Sequence, residues 1–354
     1  IKIKDIRNNP KARLIKKQRP DIKIVMGGAM FPYIYDIILG KEKYSELDFV
    51  VTGEGETALY QLLAAINDDK AFKEIPNLIY AGSDGKYHKG KVGHIENMDE
   101  LPVPDYNDFP LDKYFLQPCE ISYVSARGCH WNRCAFCSLA CNYGHRYHAR
   151  NLDKVISDIK YLKEKYNLKY LHFNDESIPP KRLISISNKM MEADLDLIWF
   201  ALLRLEKNFT PEHFQKAYEA GLCMVSFGLE SGDQRTLELM RKGTEVKEMS
   251  RLLKESHESG IWNNVFVISN FPGDHHLGNT INFIKENAEY IDSLGYSDFR
   301  LEKHSYAYNH PQQFQIELQK VSEDYFGPVF PYREINSDSS QSKNYEHGVA
   351  YINQ

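Results

Sequence analysis

The chain has 354 residues with 44 Lys and Arg against 49 Asp and Glu, a net charge of −5, and 42% hydrophobic residues. That balance is of an ordinary globular protein, and the length suits about two domains. It excludes a disordered or fibrous chain, a nucleic-acid-coating surface and a helical membrane span, since the most apolar run, Ile24 to Leu39, is broken by Gly27, Gly28, Pro32 and Asp36. Nothing at the start resembles a signal peptide, and the chain opens at Ile1 rather than methionine, so it reads as a piece whose true N-terminus lies upstream.

In chain order, a basic stretch at Ala12–Gln18 leads to a predicted strand at Ile22–Met26, ending at Gly27-Gly28. A helix is expected over Tyr33–Leu39, a second strand over Asp48–Thr52 ending at Gly53-Glu54-Gly55, and a helix over Thr57–Ile66. Apolar strands followed by glycine turns and helices mark a parallel α/β arrangement, here short enough to be the second half of a domain. Asn77–Ala81 and Lys86–His88 flank Ser83-Asp84-Gly85, a hairpin signal, and the proline-punctuated Glu100–Tyr106 reads as irregular. The basic residues between Lys11 and Arg19 read as a solvated helix face.

From Glu120 the rhythm is strand, loop, helix. Strands are predicted at Ile121–Ser125, Tyr170–Phe173, Leu197–Leu203, Met224–Leu229 and Val265–Ile268, with a last one near Phe299–Leu301. Helices are predicted from Leu152, at Leu183–Met191, from Pro211 to the Gly221 stop, at Val246–Glu258, and at Thr280–Leu294 with Gly295 as its stop. Six strands and five helices suit an open, partial (β/α)6 barrel, in which functional groups gather at the C-terminal ends of strands. The expected organisation is a partial domain over 1–75, a linker with a hairpin over 76–115, the barrel over 116–310 and a C-terminal extension over 311–354. Within the extension, Ser337–Ser342 reads as a flexible tail.

Four of the six cysteines, Cys129, Cys134, Cys137 and Cys141, fall within 13 residues, just after the first barrel strand. Too few for a disulfide scaffold, cysteines so clustered indicate metal in a reducing compartment. Three thiolates on one loop can hold three irons of a [4Fe–4S] cube and leave the fourth iron open. A structural zinc site on Cys129, Cys134, Cys137 and Cys141, with His145 or His148, is the competing arrangement, weakened because only one Cys-x2-Cys pair is present. Cys119 and Cys223 sit beside or within strands and read as core residues.

The segment Arg127-Gly128-Cys129-His130-Trp131-Asn132-Arg133-Cys134-Ala135-Phe136-Cys137 resembles the hallmark of the radical S-adenosylmethionine (SAM) superfamily, Cys-x3-Cys-x2-Cys with an aromatic residue before the third cysteine, here Phe136. The chain departs in its first spacer, which has four residues where the hallmark has three. Asn174-Asp175-Glu176-Ser177, Arg204, Gly228-Leu229-Glu230-Ser231-Gly232 and Asn270-Phe271-Pro272-Gly273 resemble the strand-end segments of the cobalamin-binding group of that superfamily, with Asn270 replacing a usual glycine. Pro20–Gly28 and Val50–Glu56 resemble the same group's Rossmann-like cobalamin domain, and the Asp99–Tyr106 linker resembles that group's linker, so the likeness spans about residues 12–310.

The resemblance implies a cluster on Cys129, Cys134 and Cys137, with SAM on the open iron. Reductive cleavage of SAM to a 5′-deoxyadenosyl radical would then drive methyl transfer or a radical rearrangement. It further implies that Arg204 takes the SAM carboxylate, that Glu230, Ser231 and Glu176 take ribose or amino groups, and that Pro272 and Gly273 shape the adenine loop. Gly27, Gly28, Gly53 and Gly55 would let the backbone approach a cobalamin tail. A cobalt-ligating Asp-x-His-x-x-Gly motif is not in the sequence, and Asp274-His275-His276-Leu277-Gly278 has the wrong spacing for it. The implied partners are a small-molecule or peptide substrate and an electron donor such as flavodoxin or ferredoxin, in the cytoplasm, with neither nucleic acid nor membrane. The alternatives are a cobalamin-independent radical SAM enzyme of the methylthiolation or ring-forming kind and a zinc-stabilised, non-catalytic binding module.

Overall fold

The structure, a computed structural model, describes residues 10–28, 46–91, 93, 97–115, 117–118, 120–139, 146–274, 276–321 and 327–335. The helix expected at Tyr33–Leu39, the tail at Ser337–Ser342, and Cys119, Cys141, His145 and His275 lie outside these. The chain divides into two compact units, one of residues 1–96, 136–145 and 300–354, the other of residues 97–135 and 146–299.

In the first unit, α1 (Pro10–Gln18) precedes β1 (Val25–Gly27) and β2 (Phe49–Val51), and α2 (Glu56–Ala64) leads to the hairpin of β3 (Leu78–Ala81) and β4 (Tyr87–Lys89). These strands form one sheet in the order β1-β2-β3-β4. β1 and β2 are parallel, and β3 and β4 add antiparallel. The hairpin assigned to a linker thus extends the sheet: β3 and helix residues Ala58 and Leu62 bury one face with Phe49, Val51 and Phe72. Residues 97–115, the other half of that expected linker, belong to the second unit.

The second unit begins with β5 (Glu120–Tyr123) and a short antiparallel pair, β6 (Ala126–Arg127) with β7 (His148–Ala149). It then alternates α3 (Leu152–Tyr166), β8 (Tyr170–Phe173), α4 (Pro180–Glu192), β9 (Ile198–Arg204), α5 (Pro211–Glu219), β10 (Leu222–Glu230), α6 (Gln234–Leu239), α7 (Val246–Glu258), β11 (Trp262–Ser269), α8 (Leu277–Glu286) and β12 (Ser293–Asp298). The six-stranded sheet has the order β12-β11-β10-β9-β8-β5, parallel throughout. That is the sequential order expected of an open (β/α)6 half-barrel.

Side chains alternate across a strand, so residues in register share a face. Tyr123, Phe173, Ala201, Leu203, Val225, Phe227 and Val265 are buried on one face against Val155 and Ile159 of α3, Ile186 of α4, Phe214 of α5 and Leu252 of α7. The opposite face carries the register row Ser122, His172, Phe200 and Met224, none of them fully buried. Arg204 and Gly228 end a parallel row on that second face.

The end of the unit corrects the sequence reading. The helix expected over Thr280–Leu294 stops at Glu286, and the last strand is Ser293–Asp298 rather than Phe299–Leu301. Asn287 closes the helix by donating from Nδ2 to Phe283 O at 2.8 Å. Gly295 is no helix stop; it lies in β12 beneath Phe266, where a Cβ would stand 2.5 Å from ring Cδ1. Helix α6, absent from the sequence reading, is capped by Asp233, whose Oδ1 accepts from Thr236 N at 2.8 Å. In the remainder of the first unit, α9 (Tyr306–Asn309) precedes an antiparallel pair, β13 (Ile316–Leu318) and β14 (Tyr332–Glu334), so the expected C-terminal extension carries a two-stranded sheet ahead of the segment read as a flexible tail.

Residues 97–106 are fixed to the second unit by a buried charge. Asp158 of α3, 1% exposed, holds Arg150 and Lys154 and accepts from Tyr123 Oη at 2.9 Å. Arg150 in turn donates from Nη2 to Leu101 O at 3.0 Å and Pro102 O at 3.2 Å. Asp158→Ala leaves the buried guanidinium without its carboxylate and should cost about 3–5 kcal/mol of stability. Urea unfolding followed by tryptophan fluorescence checks it; a loss below 1 kcal/mol would show that the pair holds nothing.

Candidate active site

β5 ends at Tyr123, and the chain bends at Ser125 into β6. The bend is held by Asp175, from the segment after β8. Its Oδ1 accepts from Ser125 N at 2.6 Å and Ala126 N at 3.1 Å, and its Oδ2 accepts from Ser125 Oγ at 2.6 Å. Arg182 of α4 donates to Ser125 O and Arg150 O, both at 3.1 Å. Burial raises the Asp175 pKa, an effect the Ser125 and Ala126 donors only partly offset. The neighbouring Glu176, singled out by the sequence reading, is exposed; desolvation and the charge of Asp175 raise its pKa as well.

The cysteine loop leaves from Gly128, at φ +80, where a Cβ would stand 2.0 Å from Arg146 O. Only glycine allows β6 and the returning strand to approach that closely. Cys129 and Cys134 are half-buried free thiols in the second unit, and the loop between them is tied down beyond Cys134 by Ala135 N, which donates to Met240 O at 2.7 Å. Phe136, half-buried, and Cys137, exposed, belong to the first unit. Cys223 is half-buried in β10, and burial pushes its thiol pKa up.

Arg204, at the end of β9, meets Cys134: its Nη1 lies 3.6 Å from Sγ. Its Nε donates to Glu206 Oε1 at 2.9 Å, and its Nη2 to Lys242 O at 2.5 Å. Glu206 also accepts from His130 Nε2 at 2.5 Å. Burial alone would push the Glu206 carboxyl up, but His130 and Arg204 hold it below the usual carboxylate value. Glu230 ends β10 at φ +64 after a bulge beyond Gly228, and its Oε1 accepts from the buried Lys242 Nζ at 2.7 Å.

The Ser231 hydroxyl is taken up by Thr280 Oγ1 at 3.0 Å and the Asp233 amide at 3.1 Å, so it shapes the turn after β10. Pro272 is buried and Gly273 turns at φ +79, with Asp274 N donating to Phe271 O at 2.8 Å. Asn270, where the family usually has glycine, adopts φ +54, a left-handed conformation that asparagine tolerates, and its Nδ2 donates to Asp298 Oδ1 at 2.7 Å.

In the first unit, Gly28 and Gly53 have positive φ, +121 and +69. Gly28 has open space where a side chain would project. Gly27 and Gly55 need not be glycine on that ground: a Cβ at either would meet Val51 at an ordinary 3.5 Å.

The residues fit a polar cofactor beside a soft-metal cluster. Among the described residues, His130 Nδ1, Tyr147 Oη, Ser177 Oγ and Thr244 Oγ1 are buried without a hydrogen-bond partner. Leaving such groups unsatisfied costs about 1–3 kcal/mol each, so they suit a ligand that carries donors and acceptors. Burial pushes the Tyr147 hydroxyl up to about 12. No three His, Cys, Asp or Glu side chains among the described residues converge on a single metal ion. Thiolates on separate corners of an iron–sulfur cube stand farther apart than ligands of one ion. A cavity of about 800 Å³ lies to one side of the loop, lined by Trp131, Arg133, Leu237, Arg241 and Lys247 among others; Cys129, Cys134 and Arg204 are not among its lining residues.

Residues 123–284 match the radical SAM superfamily, and the chain carries a domain of that superfamily. An uncharacterized methyltransferase of Pyrococcus horikoshii is 29% identical over 84% of this chain and 66% of its own length. The fold resembles that of the cobalamin-dependent SAM radical enzyme OxsB with aqua-cobalamin and SAM bound, at TM-score 0.75 and 14% identity over 92% of this chain and 54% of that one. It also resembles the radical SAM methyltransferase TsrM of Kitasatospora setae with cobalamin and a [4Fe–4S] cluster bound, at TM-score 0.69 and 19% identity over 90% and 66% of the two chains. The chain thus spans between about half and two thirds of the length of these proteins.

Asp175, His130, Trp131, Glu206 and Lys242 were missed by sequence reasoning. Only Asp175 and the two spacer residues had a signal, their place within quoted motifs. Gly128→Ala should break the β6–β7 closure and speed protease cleavage within residues 128–139; limited proteolysis with mass mapping checks it. Gly27→Ala should leave the digestion pattern unchanged.

Proposed function

We propose that this chain is a radical SAM enzyme in which Cys129, Cys134 and Cys137 each bind one iron of a [4Fe–4S] cluster, and that it transfers a methyl group to an unreactive carbon or phosphorus of a small-molecule or peptide substrate. The observation that carries the reading is the position of the cysteine loop. It leaves the C-terminal end of the first strand of a six-stranded parallel sheet, where such half-barrels gather functional groups. Methyl transfer rather than another radical reaction is supported by the relative named a methyltransferase and by the likeness to cobalamin-bound enzymes.

When bound, the cluster and SAM supply reductive cleavage of the sulfonium, and methylcobalamin the methyl group. The protein's part is to hold and orient. Thiolates are the soft donors iron–sulfur clusters take. His130, Tyr147, Ser177 and Glu176 offer polar groups to the amino, carboxylate and ribose positions of SAM, and the backbone at Pro272-Gly273 shapes the adenine loop. Gly28 and Gly53 support a corrinoid tail by backbone approach over the 1–75 segment. A low-potential electron donor such as flavodoxin or ferredoxin, and the reducing cytoplasm that keeps thiols free, complete the reading. Among the described residues no helix is long and apolar enough to cross a membrane.

Anaerobic reconstitution with iron and sulfide tests the assignment. The expected outcome is a broad visible absorption that dithionite bleaches, and 5′-deoxyadenosine on addition of SAM. Cys134→Ala should lose both, and SAM cleavage retained in that variant would refute the ligand set. Stoichiometric zinc without iron uptake would favour the binding module instead. Retention of hydroxocobalamin through gel filtration separates the cobalamin-dependent reaction from methylthiolation or ring formation, which need none.

A further inference from the structure

Arg204 is 5% exposed, and a guanidinium at that depth needs partners on every side. It has them: the Glu206 carboxylate, the Lys242 carbonyl, the Cys134 sulfur, and the indole of Trp131, whose ring centroid lies 4.9 Å from the guanidinium carbon. Trp131 is itself fixed, since its Nε1 donates to Arg241 O at 2.9 Å. Its ring rests on Gly243, where φ is +71 and a Cβ would stand 2.0 Å from Cζ2. His130 fixes Glu206 from the far side. Both Trp131 and His130 come from the four-residue spacer between Cys129 and Cys134, so the lengthened spacer packs around Arg204 directly and through Glu206.

We infer that Arg204 tunes the cluster: it donates a charge-assisted hydrogen bond to the Cys134 thiolate and raises the cluster's reduction potential, with the four-residue spacer holding it in place. The inference rests on the ligand set proposed above and replaces the SAM-carboxylate role that the resemblance implied for Arg204. A donor on a ligating sulfur withdraws electron density, and a fixed positive charge favours the more negative, reduced cluster; both act upward on the potential. Glu206 offsets part of that charge while fixing the guanidinium's direction. Arg204 is therefore a positioning and tuning residue acting through Cys134.

The test is a redox titration of the reconstituted whole chain, without SAM, followed by electron paramagnetic resonance and paired with iron and sulfide analysis. Arg204→Met should keep its iron yet show a reduced-to-oxidised ratio about tenfold lower at the parent's midpoint, a shift of about 59 mV for one electron. Glu206→Gln, which removes a negative charge, should move the midpoint the opposite way. Arg204→Gln, which removes the charge but keeps a polar side chain, serves if the methionine variant holds no cluster, and it too should titrate below the parent. A midpoint unchanged in the variant that holds a cluster overturns the inference; weaker SAM binding beside that unchanged midpoint would return Arg204 to the carboxylate. A parent chain that takes up no cluster at all overturns the ligand set itself, and this inference with it.

Discussion

A single buried carboxylate sets the geometry on which the site depends. Asp175, 1% exposed, takes three hydrogen bonds from the bend at Ser125 and Ala126, and so ties the end of β8 to the point where β5 gives way to the cysteine loop. A carboxylate at that depth is tolerated only with its donors in place, which makes the bend a fixed feature. The loop's direction then follows from two further ties, the close approach of Gly128 to Arg146 and the bond from Ala135 to Met240.

Around this frame the charged residues form one connected set. Lys242 accepts from Arg204 through its carbonyl and donates to Glu230 through its ammonium, so the ends of β9 and β10 share one bridging residue. His130 and Glu206 extend the set to the cysteine spacer. Buried ion pairs add little net stability, but a fully partnered network specifies one arrangement of its members. Arg204, Glu206, Glu230 and Lys242 together carry two positive and two negative charges, so the set balances its own charge.

The sheet was legible because its strands, covered by helices on one face, are apolar runs punctuated by glycine and proline. Tyr170–Phe173 and Val246–Glu258 match the expected elements to the residue. The failure at the last helix has a physical cause: Ile291 and Leu294 continue the apolar spacing of Phe283 and Ile284 by coincidence, and Gly295 imitates a helix stop while serving the contact with Phe266. The cysteines were legible as a motif. The pair of His130 and Glu206, 76 positions apart, was not, because nothing local marks a contact at that range. Asp175 and Glu176 are adjacent acids on opposite sides of an extended chain, and the sequence alone does not say which turns inward.

The central claim is that three thiolates leave one iron open to SAM. Electron–nuclear double resonance on the reduced, reconstituted chain with amino-¹⁵N-labelled SAM addresses it directly. A ¹⁵N hyperfine coupling that disappears when the label is omitted is the expected result. A cluster spectrum indifferent to SAM, with no such coupling, would mean that every iron is closed by protein and would contradict the account.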